Sequence, residues 1–124
     1  QTATPDTIRA MTPEMLFDYL AVRLDSAKAE GKNIDINIDF TDLKQNFTLT
    51  VENAVLHHSK NQVKDPDVAL VMSMKTMNRI QLKEMSFDDA IKNGDIKMAG
   101  DKALFNSFLA MLDDYNFWFN VVMP

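Results

Sequence analysis

The segment from Asn93 to Leu112 constrains the fold of this chain more than any other. Asn93-Gly94 is a pair that ends helices and makes turns, and Gly100 permits a sharp backbone turn where a side chain would clash. Asp101 is placed to accept the first free amide hydrogens of a following helix. The segment therefore predicts a helix end, a short strand over residues 96–98, a tight turn and a final amphipathic helix. Its apolar side chains form one broad stripe, at Leu104, Phe105, Phe108, Leu109 and Leu112.

Alternating apolar and polar residues in the first half predict strands with one buried face. The pattern is strict over residues 34–40 and recurs over residues 47–51 and 68–74, and a further strand is predicted over residues 55–60. Glu52-Asn53-Ala54 predicts a hairpin turn between the second and third strands. Asn53 tolerates the left-handed conformation and Ala54 tolerates it poorly, so the turn type stays open.

Helix signals surround these strands. Thr12-Pro13-Glu14 opens a helix that the apolar spacing extends to Gly31, residues 75–82 predict a short helix, and Ser86 to Asp89 form a capping box. The order predicts an α+β fold with about five mainly antiparallel strands, covered by helices on one face. We expect one domain over residues 1–124, with residues 1–6 as a linker remnant. Because the chain begins with Gln rather than Met, we also expect a piece of a longer protein.

Composition narrows the function classes. A formal net charge of −5 argues against attraction to nucleic acid or to anionic membranes, and no apolar run is long enough to span a bilayer. The chain has no cysteine, which excludes disulfides and thiolate chemistry and leaves the compartment undetermined.

The polar residues do not form a recognisable catalytic or metal-binding motif. His57 and His58 are adjacent on a predicted strand, so they point to opposite faces and cannot hold one metal together. Asp35, Asp39 and Asp42 are expected on a solvated face. The sequence contains no Gly-rich phosphate loop and no nucleophile elbow. We therefore predict no catalytic residue, no metal site and no cofactor site in this chain.

Methionine is the one compositional excess, with nine residues in 124. Flexible thioethers fill irregular gaps in ordinary cores, and they also line adaptable apolar pockets. For any single methionine the ordinary core is the expected place, and the sequence leaves open whether the space among them is filled. The predicted lining of an apolar pocket is Met72, Met74, Met77, Met98, Phe105, Phe108 and Leu112.

The C-terminal segment is unusually aromatic. Phe117, Trp118 and Phe119 are consecutive and precede Val-Val, so they cannot all lie on one face of an element. This pattern predicts docking onto a neighbouring domain, and strand addition to the domain's own sheet is the plainer alternative.

Several segments carry a family resemblance. Residues 9–25, the strand pair 40–42 and 48–53, and residues 113–120 resemble the C-terminal domain of bacterial alkyl sulfatases, across nearly the whole chain. The glycine turn and Gly-Asp helix start at residues 93–101 resemble the sterol carrier protein-2 type of lipid carrier. Ala54 departs from the glycine expected at that hairpin position.

The resemblance implies a three-part parent enzyme. A metallo-β-lactamase-like domain would hold two zinc ions and hydrolyse alkyl sulfates such as dodecyl sulfate, and a helical domain would dimerise. The present domain would be a noncatalytic accessory that recruits or shields an aliphatic tail, with an alkyl sulfate, fatty alcohol or lipid as ligand. The alternative is a structural domain with a filled core that docks on the catalytic or dimerisation domain. The resemblance also implies a periplasmic or secreted enzyme, although the residues themselves leave the compartment open.

Overall fold

A five-stranded sheet organises the part of the chain that the structure, a computed structural model, describes: residue 6 and residues 10–112. The strand order is β3-β2-β1-β4-β5. β1 pairs in parallel with β4, and the other neighbours are antiparallel. The predicted α+β fold with a mainly antiparallel sheet is confirmed. The strands are β1 (Ile34–Phe40), β2 (Gln45–Glu52), β3 (Val55–Ser59), β4 (Val68–Met72) and β5 (Lys97–Gly100).

Helices cover one face of this sheet. They are α1 (Pro13–Arg23), α2 (Ser26–Ala29), α3 (Met74–Gln81), α4 (Phe87–Asn93) and α5 (Lys102–Met111). None of the described helices is long and apolar enough to cross a bilayer.

Most helix starts follow the capping signals in the sequence. The Thr12 hydroxyl accepts a hydrogen bond from the Met15 amide at 3.2 Å, and the Asp101 carboxylate accepts one from Leu104 at 2.9 Å. Ser86 forms the predicted capping box before α4, and Gly94 ends that helix with a φ of 91°. These three helices begin where the sequence predicts because their caps are local.

The predicted extent of the first helix is wrong. The apolar spacing suggested one helix to Gly31, but α1 ends at Arg23. Leu24 is extended and forms a bridge with Leu112, and the Asp25 amide donates to the Met111 carbonyl at 2.7 Å. The Asp25 side chain then caps the short helix α2. A contact between distant parts of the chain thus overrides the helical pattern.

The prediction that Met74 ends a strand is also wrong, because β4 stops at Met72 and Met74 begins α3. Ser73 caps this helix through the Thr76 amide. Asp42 adds a second cap, since its carboxylate accepts hydrogen bonds from the backbone amides of Met74 and Lys75 at 2.8 and 3.3 Å. Asp42 is exposed, as predicted, and it also has this structural role.

The polar face of β1 is more buried than the alternating pattern predicts. Asn37 is buried, and its side-chain oxygen accepts a hydrogen bond from the Thr48 hydroxyl at 2.6 Å. The Asn37 amide group donates to the Val63 carbonyl at 2.9 Å. Asp35 and Asp39 are half-buried, and Asp35 accepts from the Thr50 hydroxyl at 2.8 Å. The connection after β3 therefore closes the face that was expected to be solvated.

The β2–β3 hairpin turns through two residues with left-handed backbones. Asn53 has a φ of 53° and Ala54 a φ of 61°. Positive φ at both central positions is the pattern of a type I′ turn, which matches the twist of the flanking strands. The turn type left open by the sequence is thereby assigned, and Ala54 is strained in it.

We expect Ala54→Gly to raise the free energy of unfolding by about 1 kcal/mol, because glycine removes the left-handed strain. Chemical denaturation of the two chains measures the difference. Ala103→Gly, at an exposed position within α5, is the matched control and should lower stability by about 1 kcal/mol. An equal loss at both positions would contradict the strain at Ala54.

Gly100→Ala should lower the free energy of unfolding by about 2 kcal/mol or more. Gly100 has a φ of 106°, and an added Cβ would overlap the Asp67 carbonyl oxygen and lie 3.0 Å from the Val68 Cα. Gly94 has a φ of 91° with nothing within 4 Å, so Gly94→Ala measures the conformational strain alone. Urea denaturation should rank Gly100→Ala as clearly the more damaging substitution.

Candidate functional site

An apolar cavity of about 20 Å³ lies between the helices and the inner face of the sheet. Its lining is apolar throughout and comes from β1, β2, β4, α1, α3, α4 and α5, together with Leu112. Ligand pockets usually measure about 300–1,000 Å³, and a cavity near 20 Å³ holds about one water molecule. The core is therefore nearly filled in this conformation.

Edge-to-face aromatic contacts pack the core around this cavity. The ring centroids of Phe17 and Phe47 are 5.2 Å apart, and those of Phe87 and Phe105 are 5.3 Å apart. Such pairs add about 0.5–1.5 kcal/mol each beyond their buried area. A cavity of this size does not accommodate an alkyl chain in this conformation.

The structure brings four of the seven predicted pocket residues together. Met77, Phe105, Phe108 and Leu112 line the cavity. Met74 instead lines a separate, open groove. Met72 and Met98 belong to β4 and β5 and line neither space. The predicted docking residues Phe117, Trp118 and Phe119 lie outside the described residues.

Other lining residues escaped sequence reasoning. Phe17 and Leu20 reach the cavity from α1, and Ile36 and Ile38 reach it from β1. The signals were present, since Phe17 and Leu20 are three residues apart on a helix and the isoleucines alternate along a strand. The sequence does not reveal the order in which the strands pair, and that order places α1 and β1 beside α5.

The open groove has a volume of about 710 Å³. It lies between the start of α1, the β1–β2 turn and α3. Apolar walls alternate with polar and charged groups, so the groove differs from the wholly apolar cavity. The apolar contributors are Met11, Pro13, Leu43, Met74 and Leu82.

Most charges around the groove are already paired. The Arg79 Nε lies 3.4 Å from a Glu84 carboxylate oxygen, and the Lys60 Nζ lies 3.6 Å from Glu14. Asp42 binds the first backbone amides of α3. The amino-terminal end of α3, which would otherwise attract an anion, is thus occupied by a carboxylate of the chain itself.

Helix α3 carries buried amide groups without partners among the described residues. Gln81 is 1% exposed, and neither its Oε1 nor its Nε2 forms a hydrogen bond. The buried Oδ1 of Asn78 is also unpartnered. Leaving such a group unsatisfied costs about 1–3 kcal/mol. Gln81 lies one turn beyond Met77, whereas Asn78 lies one turn beyond Met74 and lines the groove.

The histidines have separate surroundings. His58 Nε2 lies 3.1 Å from an Asp18 carboxylate oxygen, and its ring packs 5.5 Å from the Phe17 ring. His57 is exposed. Within residue 6 and residues 10–112, no three His, Asp or Glu side chains are grouped so that they could hold a metal ion.

The comparisons with known proteins agree on one family. The family described as alkyl sulfatase C-terminal matches residues 1–124. The chain is 42% identical to a linear primary-alkylsulfatase of Pseudomonas sp. over 124 residues, which is 99% of this chain and 18% of that protein. The structure of a stereoselective inverting sec-alkylsulfatase from Pseudomonas sp. superimposes with a TM-score of 0.79 and 37% identity, over 94% of this chain and 18% of that one.

A separate likeness concerns the fold alone. Sterol carrier protein 2 like 2 from Aedes aegypti superimposes with a TM-score of 0.57 at 19% identity, over 76% of this chain and 92% of that one. The predicted sterol carrier protein-2-like fold is therefore confirmed. The chain spans less than a fifth of the alkylsulfatases it matches and nearly all of the small carrier protein.

Gln81→Met should raise the free energy of unfolding by about 1–3 kcal/mol, because it replaces an unpartnered buried amide with an apolar chain of similar length. Thermal and urea denaturation measure the change. Gln62→Met is the control, since the Gln62 amide donates to the carbonyls of Ile38 and Phe47 and should give no gain. A loss of stability for Gln81→Met would show that its amide is satisfied in solution.

Proposed function

Because the chain belongs to the alkyl sulfatase C-terminal domain family, we propose that it is a noncatalytic accessory domain that binds the aliphatic tail of alkyl sulfates. It recruits or shields that tail for the hydrolytic part of a longer enzyme. The sterol-carrier-like fold and the alkylsulfatase relatives support an apolar ligand. The proposal assigns the chemistry, with the two zinc ions implied by the family resemblance, to another part of that enzyme.

The observation that carries the proposal is the wholly apolar lining of the cavity beneath the helices. Each methylene fully withdrawn from water contributes about 0.8 kcal/mol, so the affinity of the interior should increase with the length of the alkyl chain. Its described lining presents no titratable or nucleophilic side chain, which suits binding rather than bond cleavage. Because the closed volume is small, binding requires α5 or α3 to shift outward, and Met77 supplies an adaptable side chain at that boundary.

A second function is favoured by the same small volume. A filled core suits a structural domain that docks on the remainder of a longer enzyme, and α1 presents Val22 at 84% exposure and an exposed Met15. In that case the predicted contact residues are Phe117, Trp118 and Phe119. The two functions differ in whether the isolated chain takes up an alkyl chain.

Titration with octyl, decyl and dodecyl sulfate below micelle formation tests the first function. Affinity should rise up to roughly fourfold per methylene, because each added group is buried in an apolar space. Calorimetry gives the affinities, and amide chemical shifts should change along α5 and around Met77. Saturable binding with equal affinity for all three chains would contradict burial of the tail. A folded chain without saturable binding would favour docking.

Two variants sharpen this test. Leu109 is buried and lines the cavity, so Leu109→Ala should lower the free energy of unfolding by about 2–5 kcal/mol and enlarge the space for ligand. Alkyl sulfate should then bind the folded variant more tightly than the parent chain. Val22→Ala, on the exposed face of α1, should change neither quantity.

A further inference from the structure

Asn93 is the one asparagine of the chain that a glycine follows, and both residues are exposed where α4 ends. The amide carbon of an asparagine side chain, Cγ, can be attacked by the backbone nitrogen of the next residue. A side chain on that next residue hinders the approach, and Gly94 has none. Even a Cβ built at Gly94 would meet no heavy atom within 4 Å beyond its neighbours in the chain. The pair is therefore open to this reaction and to solvent water.

A hydrogen bond holds the Asn93 side chain in place for the attack. Asn93 Oδ1 accepts from the Asp95 amide at 2.9 Å, which forms an Asx turn. The ring that this bond closes contains both reacting atoms, Asn93 Cγ and the Gly94 nitrogen, so the side chain is folded along the backbone. The Asp95 N–H also contacts the oxygen that gains negative charge when Cγ becomes tetrahedral. It stabilises that charge as a donor in an oxyanion hole does.

The end of α4 opposes the reaction only weakly. The Gly94 N–H donates to the Ile91 carbonyl at 3.3 Å, which is longer than most backbone hydrogen bonds, and the nitrogen must leave this bond to attack. α4 has seven residues, and its last residue, Asn93, is exposed. Exposed helix ends open at little cost in free energy. The helix therefore leaves the Gly94 nitrogen available.

We propose that Asn93 is a site of spontaneous deamidation. The Gly94 nitrogen gives its proton to hydroxide and attacks Asn93 Cγ, and the side-chain NH2 group takes a proton from water and leaves as ammonia. Water then opens the resulting succinimide at either carbonyl. One opening gives aspartate, and the other gives isoaspartate, in which the main chain runs through the former side chain. The net change exchanges NH2 for OH and involves no oxidation or reduction.

The products act on α4 and on the core beneath it. A carboxylate at position 93 adds one negative charge to a chain of net charge −5, at the negative end of the helix and close to Asp95. Isoaspartate also lengthens the main chain between α4 and β5. The Ile96 amide donates to the Ala90 carbonyl at 3.0 Å across this connection, and Ile96 is buried. Because α4 contributes Phe87 to the cavity lining, the modification loosens one wall of the core. The site goes beyond the proposed function, since it needs no ligand.

Incubation of the full 124-residue chain at mildly alkaline pH tests the site. Digestion with pepsin at low pH, which halts succinimide formation, and mass spectrometry then report the state of each asparagine. Asn93 should deamidate at least about tenfold faster than Asn61, an exposed asparagine that glutamine follows. Peptides with aspartate and with isoaspartate should both form, because water opens either carbonyl of the ring.

The same incubation in urea separates the reactivity of the sequence from that of the fold. Folding should slow the reaction at Asn93 by less than about tenfold, because only the last turn of α4 must open. A greater slowing would show that α4 protects Asn93 and would overturn the proposal. Equal rates at Asn93 and Asn61 in the folded chain, or aspartate without isoaspartate, would overturn it as well.

Two variants test the effect on α4. Asn93→Gln keeps a side-chain amide but closes the ring far less readily, so its urea midpoint should survive an incubation that lowers the midpoint of the parent chain. Asn93→Asp should lower the midpoint by less than incubation does, because it adds the charge without lengthening the main chain. An incubated parent chain as stable as the fresh one would contradict the loosening of α4. None of these outcomes bears on alkyl sulfate binding, which titration of the fresh chain tests separately.

Discussion

The rest of the structure depends on the central strand β1, which is hydrogen-bonded on both edges and covered on both faces. Its isoleucines face the helices, and its edges pair with β2 and with β4. Because β1 and β4 are parallel, a crossover connection must join them. That connection consists of the β2–β3 hairpin and the loop that follows it. A disturbance of β1 would therefore reach the core, the hairpin and the loop together.

The two faces of β1 are closed by different forces. Apolar packing against α1 and α5 closes one face. The stability of that packing depends mainly on the apolar area that is buried and on how well the side chains fill the volume. Directional hydrogen bonds from Asn37, Thr48 and Val63 close the other. These bonds fix the register of the loop over the sheet, because a shift would leave buried polar groups unpaired.

Features set by neighbouring residues could be predicted from the sequence. The caps at Thr12, Ser86 and Asp101 act within three or four residues of their effect, and all are found where expected. The tight turn expected at Gly100 is not, because Gly100 is the last residue of β5 and pairs with Val68. The end of α1 could not be predicted, because it depends on Leu112, far along the chain. The start of α3 likewise depends partly on Asp42, thirty-two residues before Met74.

The candidate sites also combine features that depend on neighbouring residues with features that depend on distant ones. Periodicity identified the side chains of α5 that face the core, but the volume left between them depends on how five strands and the helices pack together. The groove was missed altogether, since its walls come from three separated segments and the unpartnered amides of α3 carry no sequence signature. A cavity is a property of the packing, which single-element patterns do not contain.

Helix α3 borders both spaces, because Met77 lines the cavity and the adjacent Asn78 lines the groove. A shift of this helix would therefore change the shape of both spaces together. If a ligand displaced α3 to enter the core, the groove would change with it, and by the reciprocity of linked equilibria any contact made in the groove would change the affinity of the core.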